Sequence, residues 1–279
     1  MERIPIYDNH IHLSPKGRNI DALKEFESAG GTGLTLVTLP YDEVPISNAD
    51  DFLRSYEITL SAAARARELT SLKINVAVGP YPVLLLPLAE RLGIERAEKI
   101  MKEGMKLAAG LVASGKANAI GEIGRPHFDV PAEIKDASDR ILMYGMELAS
   151  KNSCPVIIHC ESGSPELMKE LSETAKASSL DPGMVIKHFS PPLVKEEETY
   201  GVMPSIPASR SSIREALSKG DRFLLETDYI DDPSRPGAVM NVNTVPKRVL
   251  GLLSNKEISP ETVWKTGKDI PDSLYGCKD

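Results

Sequence analysis

Cysteine is scarce in this sequence, which contains only Cys154, Cys160 and Cys277. The number is odd, and no two of them have the Cys-x-x-Cys spacing of a zinc knuckle. This pattern argues against a disulfide framework and against a metal site built from thiolates. We therefore expect three reduced thiols that serve as small structural side chains.

Long hydrophobic runs are also missing. No stretch approaches the roughly 18 consecutive apolar residues that a membrane-spanning helix needs. The sequence begins Met-Glu-Arg-Ile-Pro and leads directly into a predicted strand, without the charged and apolar regions of a secretory signal. We therefore expect a cytoplasmic protein that has no membrane partner.

Aromatic residues and positive charge are in short supply. Phe, Trp and Tyr make up 5% of the residues, with a single Trp, so stacking platforms for an extended nucleic-acid strand are few. The formal net charge of -7 argues against a protein that coats nucleic acid, although a local basic cleft is compatible with it. The first strand is not followed by a Gly-x-Gly-x-x-Gly fingerprint, which disfavours a nucleotide cofactor. These shortages favour a small substrate.

Short β-branched apolar runs alternate with segments of helical periodicity along the chain. After a first strand that carries His10 and His12, the predicted strands span residues 34–39, 74–78, 117–123, 155–159, 184–188, 202–206 and 223–228. The predicted helices span residues 20–29, 51–69, 94–114, 134–151, 165–178, 211–219, 243–253 and 260–275. About eight strands close a parallel barrel. We predict an α/β protein in which residues 1–279 form a single TIM (β/α)8 barrel domain, with a doubly wound open sheet as the alternative.

Polar residues that suit metal binding stand at the ends of the predicted strands. His10 and His12 are two residues apart, so on an extended strand both imidazoles emerge from one face. In a barrel the C-terminal strand ends converge, where buried imidazoles and carboxylates would be costly without metal ions. The predicted ligands are His10, His12, Glu122, His159, His188 and Asp228. Six ligands suffice for two divalent metal ions, and the many imidazoles favour zinc, with manganese and magnesium left open.

Strand parity places further residues relative to this centre. If His159 faces the barrel interior, Cys160 faces the surrounding helices and is not a ligand. Asp8 shares the parity of the first histidine pair, and Glu226 shares that of the aspartate on the last strand. Each of these two acids is a candidate to orient ligands from one layer below, or else a buried ion pair or cap.

The order of these motifs resembles the TatD-like metal-dependent hydrolases of the amidohydrolase superfamily. The match runs through nearly the whole chain: His-x-His, Gly-Glu-Ile-Gly, Pro-Val-Ile-Ile-His, His-Phe-Ser, Glu-Thr-Asp and a final Ile-Pro-Asp-Ser-Leu-Tyr-Gly. The resemblance implies a TIM barrel, two divalent metals and hydrolysis, with DNA 3′-end degradation the best known activity of the group. The ligands it implies are His10, His12 and Asp228 for one metal, His159 and His188 for the other, and Glu122 as a bridge.

The chain departs from the nuclease-like members near the expected substrate, which indicates a divergent branch. Gly-Glu-Ile-Gly is followed by Arg125-Pro126-His127 rather than by Leu-Asp and an aromatic residue, and His159 lacks the usual following Arg. Several cations nevertheless fall in loops after predicted strands, where they could bind an anionic substrate. These cations are Lys16, Arg18, Arg125, Lys187, Arg210 and Arg235. The residues we assign to substrate binding are Arg125, His127, Lys187 and Arg235.

These observations predict a dinuclear metal-dependent phosphoesterase that acts on nucleic-acid ends or small phosphate esters. The expected catalytic residues are Asp228 and Glu122, with Asp228 as the group that accepts the proton of an attacking water. Hydrolysis of an amide or a lactone is the main alternative, since the same metals polarise a carbonyl. A metal-binding protein without turnover is the third reading. The sequence predicts no oligomeric state.

Overall fold

The structure is a computed structural model, and its description covers residues 3–232, 234 and 240–276. Its centre is a sheet of nine strand segments in which every neighbouring pair is parallel. The strands are β1 (Tyr7–His12), β2 (Gly33–Val37), β3 (Lys73–Val78), β4 (Ala119–Gly124), β5 (Val156–His159), β6 (Val185–Lys187), β7 (Met203–Pro207), β8 (Leu224–Glu226) and β9 (Tyr229–Ile230). Around the sheet they follow chain order from β1 to β8, with β9 on the other side of β1.

The sheet closes through the two pieces of its last strand. β8 ends at Glu226 and pairs with β7, whereas β9 begins at Tyr229 and pairs with β1. Thr227 and Asp228 separate the two pieces. Thr227 donates from its backbone N–H and its hydroxyl to the two carboxylate oxygens of Asp8 on β1. The predicted single TIM barrel is therefore confirmed, and the alternative of a doubly wound open sheet is wrong.

Helices cover the outside of the barrel. They are α1 (Ile20–Ser28), α2 (Ala49–Leu69), α3 (Leu85–Leu92), α4 (Ile94–Ala113), α5 (Ala132–Asn152), α6 (Pro165–Ala177), α7 (Glu196–Thr199), α8 (Arg210–Lys219), α9 (Thr244–Ser254), α10 (Pro260–Trp264) and α11 (Ile270–Tyr275). Seven of the eight predicted helices are present with small shifts at their ends, and α3 and α7 are additions to the predicted set. In the described part of the chain, no helix is long and apolar enough to cross a bilayer.

The helix predicted over residues 260–275 is interrupted. A π-helical turn (Lys265–Asp269) joins α10 to α11. Pro271 has no N–H to donate to the preceding turn. Gly267 lies directly against the chain at Pro5, where a Cβ would come within 2.2 Å of the carbonyl oxygen. Pro271 is a signal of the break that the sequence contains, whereas the contact between Gly267 and Pro5 depends on tertiary packing and could not be predicted from helix periodicity.

One apolar side chain from each of eight strands meets in the barrel interior. These side chains are Tyr7, Val37, Ala77, Ala119, Ile157, Ile186, Met203 and Leu224. Ile270, Leu274 and Tyr275 of α11 join the same cluster. Because Tyr7 begins β1, α11 closes the end of the barrel where the strands start. The packed interior leaves the C-terminal ends of the strands as the place for a site.

Candidate metal centre

The two histidines of β1 are buried at the open end of the barrel. β1 has one extra residue relative to β2 between Asp8 and Ile11, which is a bulge that re-aims the side chains beyond it. The Nε2 atoms of His10 and His12 lie 3.1 Å apart. The Nδ1 of His12 lies 2.9 Å from the carbonyl oxygen of Val37. Because a carbonyl only accepts, Nδ1 carries the proton, and Nε2 of His12 is left free to bind a metal.

Glu122 on β4 is the point where histidines from three strands meet. Its Oε1 lies 3.6 Å from His10 Nε2, 3.2 Å from His159 Nδ1 and 3.4 Å from His188 Nε2. The residue is 4% exposed. One carboxylate oxygen thus lies among three imidazoles that belong to different strands.

Asp228 lies in the break between β8 and β9, with a φ of 51°. This left-handed conformation is uncommon for residues other than glycine, and Asp is among those that adopt it most readily. Its Oδ1 lies 3.5 Å from His12 Nε2 and 4.0 Å from His188 Nε2. The side chain is 15% exposed, more than that of Glu122. The strand break therefore presents a carboxylate both to the histidines and to solvent.

Three groups of ligand atoms in this cluster could each hold a metal ion. Within a group, the atoms lie within 4.8 Å of one another. The groups are His10 with His12 and Glu122, His10 with His188 and Glu226, and Glu122 with His159 and His188. Imidazole nitrogens together with carboxylate oxygens are a donor set that divalent transition metals accept. The residues brought together at this end of the barrel therefore fit a metal centre.

The charges around Glu122 oppose the effect of its burial. Burial disfavours the carboxylate, but the hydrogen bond with His159 and the imidazoles of His10 and His188 hold the pKa of Glu122 well below its usual range. Burial also disfavours a charged His188, yet the nearby carboxylates, Glu226 first, raise the pKa of His188 to about 9. The site thus attracts positive charge, which a metal cation would supply in place of a proton.

A chain of buried polar groups leads from His188 to the closed end of the barrel. The Nδ1 of His188 lies 2.9 Å from Glu226 Oε1. Ser205 donates to the other oxygen of Glu226, and Asn9 donates to the hydroxyl of Ser205 at 3.1 Å. Tyr275 of α11 in turn donates to the amide oxygen of Asn9. Glu226 therefore lies below the ligands, where its strand parity predicts it.

Of the two roles that the sequence leaves open for Asp8, the structure fits that of a buried acid that caps backbone donors. Its carboxylate accepts the backbone N–H of His10 at 3.1 Å and two hydrogen bonds from Thr227. The bulge in β1 breaks the strict alternation on which the parity argument rests. Burial raises the pKa of Asp8 to about 8. Asp8 therefore supports the seam of the barrel and the backbone at His10, and does not orient an imidazole directly.

Two side chains contact His159 from the rim of the site. The Nδ1 of His127 lies 3.0 Å from His159 Nε2, and the hydroxyl of Tyr81 lies 3.5 Å from the same atom. His127, a predicted substrate residue, is exposed, whereas Tyr81 is half-buried. Burial raises the pKa of Tyr81, so its hydroxyl keeps its proton. Sequence reasoning missed Tyr81; its position just after β3 is the signal that could have identified it.

Arg125 does not present a free charge to a substrate. Its guanidinium donates to Glu161 at 2.9 Å, to Asp139 at 2.8 Å and to Glu170 at 2.7 Å. The side chain is 4% exposed. Three carboxylates more than compensate one cation, and their excess negative charge would repel an anion. The structure therefore argues against the prediction that Arg125 binds substrate, and the partners that overturn it come from distant parts of the sequence.

Lys187 lies close to the site and is buried. Its ammonium donates to the carbonyl oxygen of His188. Burial and the neighbouring His159 lower the pKa of His127, and the charge of Lys187 adds to this effect. The role of Lys187 in substrate binding stays a prediction, and its burial and its hydrogen bond to His188 limit the access of a substrate to the ammonium. Arg235, the other predicted cation of the substrate site, lies outside the described residues.

The remaining cations of the predicted rim contact or border residues other than the predicted metal ligands. Lys16 pairs with Glu43 at 2.9 Å, and Arg18 pairs with Glu25 at 2.7 Å. Arg210 begins α8 and lines a pocket that contains none of the predicted metal ligands. The sequence places these residues after strands, but Lys16 and Arg18 pair with other acids, and Arg210 borders a different pocket.

The cysteines take no part in the ligand groups of the described structure. Cys154 and Cys160 are free and buried, as their scarcity predicts. Burial raises the pKa of each thiol to about 11. Cys277 lies outside the described residues.

Sequence comparisons agree with this architecture. The family model for TatD related DNase matches residues 7–276. The uncharacterized protein MJ1127 of Methanocaldococcus jannaschii is 35% identical over 279 residues, which cover 99% of this chain and 97% of that protein.

Solved structures share the fold. The crystal structure of YJJV, a TatD homolog from Escherichia coli K12, has a TM-score of 0.68 at 19% identity, with 98% of this chain and 99% of that chain covered. A mutant of a Deinococcus radiodurans PTE-like lactonase has a TM-score of 0.61 at 19% identity, with 98% and 96% covered. The family match spans all six predicted ligands and confirms the resemblance that the motifs indicate. This chain belongs to the TatD related DNase family.

Proposed function

We propose that the chain is a dinuclear metal-dependent phosphoesterase that acts on nucleic-acid ends or small phosphate esters. Family membership supports a metal-dependent hydrolase. The observation that carries the dinuclear assignment is Glu122 Oε1, which lies within 3.6 Å of imidazoles from three strands. The proposed ligands are His10, His12 and Asp228 on one side, His159 and His188 on the other, and Glu122 between them.

Asp228 is the proposed proton acceptor. Divalent metal ions in this site would polarise a phosphoryl oxygen and make water a nucleophile near neutral pH. Zinc suits the four imidazoles best, while manganese and magnesium are compatible with the carboxylates. The carboxylate of Asp228 is partly exposed and borders His12 and His188, so it can take a proton from water and return it to the leaving group. Glu122 is buried and acts as a ligand.

The substrate would be held by polar groups on the His159 side of the site. Tyr81 keeps its proton and can donate a hydrogen bond to a substrate oxygen. His127 lies beside it, and the ammonium of Lys187 supplies positive charge nearby. Arg235 stays in the proposal on the basis of its sequence position alone.

A paired substrate panel tests this function. Metal-loaded protein is assayed on a phosphodiester, a phosphomonoester, a lactone and a 3′-end-labelled oligonucleotide. We expect phosphoester hydrolysis to exceed the other reactions. Robust lactone hydrolysis without phosphoester turnover would overturn the proposal, and no turnover on a broad ester and amide panel would leave a metal-binding protein without catalysis.

Tyr81→Phe sharpens the same test. Loss of one neutral hydrogen bond in the transition state is expected to lower kcat/KM for the preferred phosphoester by up to about tenfold. Tyr200→Phe is the matched control, because Tyr200 is an exposed tyrosine with no assigned role. Equal values of kcat/KM for the two variants would show that Tyr81 does not bind the substrate in the transition state.

The surroundings of Arg125 favour a second candidate function, the hydrolysis of an uncharged lactone or amide. Glu161, Asp139 and Glu170 would repel a phosphate but not a neutral substrate. A carbonyl can be polarised by the same metals. A PTE-like lactonase shares the fold, although at 19% identity this likeness concerns the fold alone. The lactone arm of the panel decides between the two candidates.

A further inference from the structure

A basic pocket lies between α8 and α9 and contains none of the predicted metal ligands. Its volume is about 160 Å³. We call it the flank pocket, and the lining residues that define it are Arg210, Arg214, Lys247, Arg248, Gly251 and Glu257. Neither the family assignment nor the proposed reaction gives these residues a role.

The flank pocket concentrates positive charge in a protein whose formal net charge is -7. Its lining contains four cations and a single carboxylate. That carboxylate is already engaged, because Arg214 donates to both oxygens of Glu257, at 2.6 and 3.1 Å. Among the described residues, no ion pair is formed by Arg210, Lys247 or Arg248. Glu257 also interacts electrostatically with Arg210, so this single carboxylate faces four cations and the pocket keeps an excess of positive charge.

Arg248 is the second observation that points to a ligand. Its Nε is buried and has no hydrogen-bond partner in the described structure. A buried donor without a partner loses its hydration without replacement, which costs free energy. Arg125 also has one buried nitrogen without a partner, Nη2, but its other nitrogens donate to three carboxylates. Arg248 differs because no carboxylate is paired with it in the described structure, as expected if an anion completes its site.

We propose that the flank pocket binds a phosphate group. The guanidinium fork matches two phosphate oxygens at once, and a dianion would offset the cations that have no carboxylate partner. Gly251 provides room, because a Cβ there would meet no atom within 4 Å. Free phosphate and the backbone of a nucleic acid present the same oxygens to these cations. The proposal does not depend on which bond is hydrolysed at the metal centre.

A titration that reports on Arg248 itself tests the proposal. Metal-loaded protein is titrated with inorganic phosphate and, separately, with a phosphorothioate oligodeoxynucleotide that resists hydrolysis. The Nε–H resonance of Arg248 distinguishes binding in the flank pocket from binding at the metal centre, and calorimetry gives the affinity. The variants are Arg248→Gln, which removes the charge, and Gly251→Leu, which fills the open space and keeps all four cations. Arg96→Gln on α4 is the control, because it removes an equal charge from an exposed arginine elsewhere.

We expect the Arg248 resonance to move on titration with at least one of the two probes. The affinity for that probe should fall about tenfold or more in Arg248→Gln and in Gly251→Leu, and should be unchanged in Arg96→Gln. Tighter binding of the oligonucleotide assigns the pocket to nucleic-acid backbone, and tighter binding of phosphate assigns it to a small anion. A resonance that does not move with either probe, or an equal loss in Arg96→Gln, overturns the proposal. If Gly251→Leu does not fold, Arg248→Gln alone decides.

Discussion

The two ends of the barrel both bury polar side chains, but the hydrogen-bonding groups of these side chains find partners to different degrees. At the closed end, the hydroxyl of Tyr7 contacts Thr35 at 2.7 Å and accepts a hydrogen bond from Asn75 at 2.7 Å. Tyr275 donates to Asn9 beside them. These groups are satisfied by one another, as buried polar groups in folded proteins usually are.

At the open end, polar groups outnumber the partners that the chain provides. Three imidazoles share one oxygen of Glu122, and the buried Nδ1 of His10 has no hydrogen-bond partner in the described structure. Two imidazole Nε2 atoms, those of His10 and His12, face each other at 3.1 Å. Burial of polar groups therefore does not by itself mark a site. The distinguishing property of the open end is that its ligand atoms lie close enough together to hold a metal cation.

The largest effect is expected from Asp228→Asn at the open end. The substitution nearly keeps the size and one ligand oxygen but removes the charge and the base, so kcat should fall by about 10²–10⁴. The measurement is kcat on the preferred ester, with metal content determined on the same sample. A fully loaded variant with near-native kcat would contradict the role of Asp228 and direct attention to Glu226 or His127.

A smaller effect is expected from Glu226→Gln, between the two ends. Glu226 lies 2.9 Å from His188 Nδ1, and removing its charge should weaken metal binding by about 10- to 100-fold. Competition with a chelator measures the affinity. Ser205→Ala is the comparison variant, because it keeps the charge of Glu226 and removes only the hydroxyl that donates to it. Unchanged metal affinity in Glu226→Gln would show that this carboxylate has a structural role, like the polar groups of the closed end, and does not support metal binding.

The smallest effect on catalysis is expected from Tyr275→Phe at the closed end. The loss of its hydroxyl leaves the buried oxygen of Asn9 without this donor, which should lower the free energy of unfolding by about 1–3 kcal/mol. Urea denaturation measures this change, and kcat should stay near its native value. A tenfold loss of kcat in a stably folded, metal-loaded variant would show that the hydrogen bonds through Asn9 and Ser205 affect the contribution of His188 to catalysis.

Strand order and parity were sufficient to predict much of this site. Convergence at the C-terminal strand ends follows from barrel topology, so the proximity of His10, Glu122, His159 and His188 could be predicted without coordinates. The bulge in β1 could not be predicted, because it depends on how β1 pairs with β2. Beside this bulge, Asp8 accepts hydrogen bonds from backbone N–H groups and does not orient an imidazole directly.

Side chains whose partners come from distant helices were beyond sequence reasoning. The carboxylates around Arg125 lie on α5, on α6 and in the loop after β5, and their meeting depends on tertiary packing. Tyr81 was missed because a single tyrosine in a loop carries no spacing pattern. The split of the last strand at Asp228 likewise follows from closure against β1 and Asp8.

The proposed dinuclear centre, with Glu122 as the shared ligand, is tested most directly by the metal content of the protein. Elemental analysis of protein purified without chelators, then reloaded with zinc, manganese or magnesium, measures this directly in the native chain and in Glu122→Gln. We expect two equivalents per native chain with at least one of these metals, and a clear loss in the variant. A native protein that never exceeds one equivalent, together with a Glu122→Gln variant that binds metal as the native protein does, would contradict the dinuclear centre.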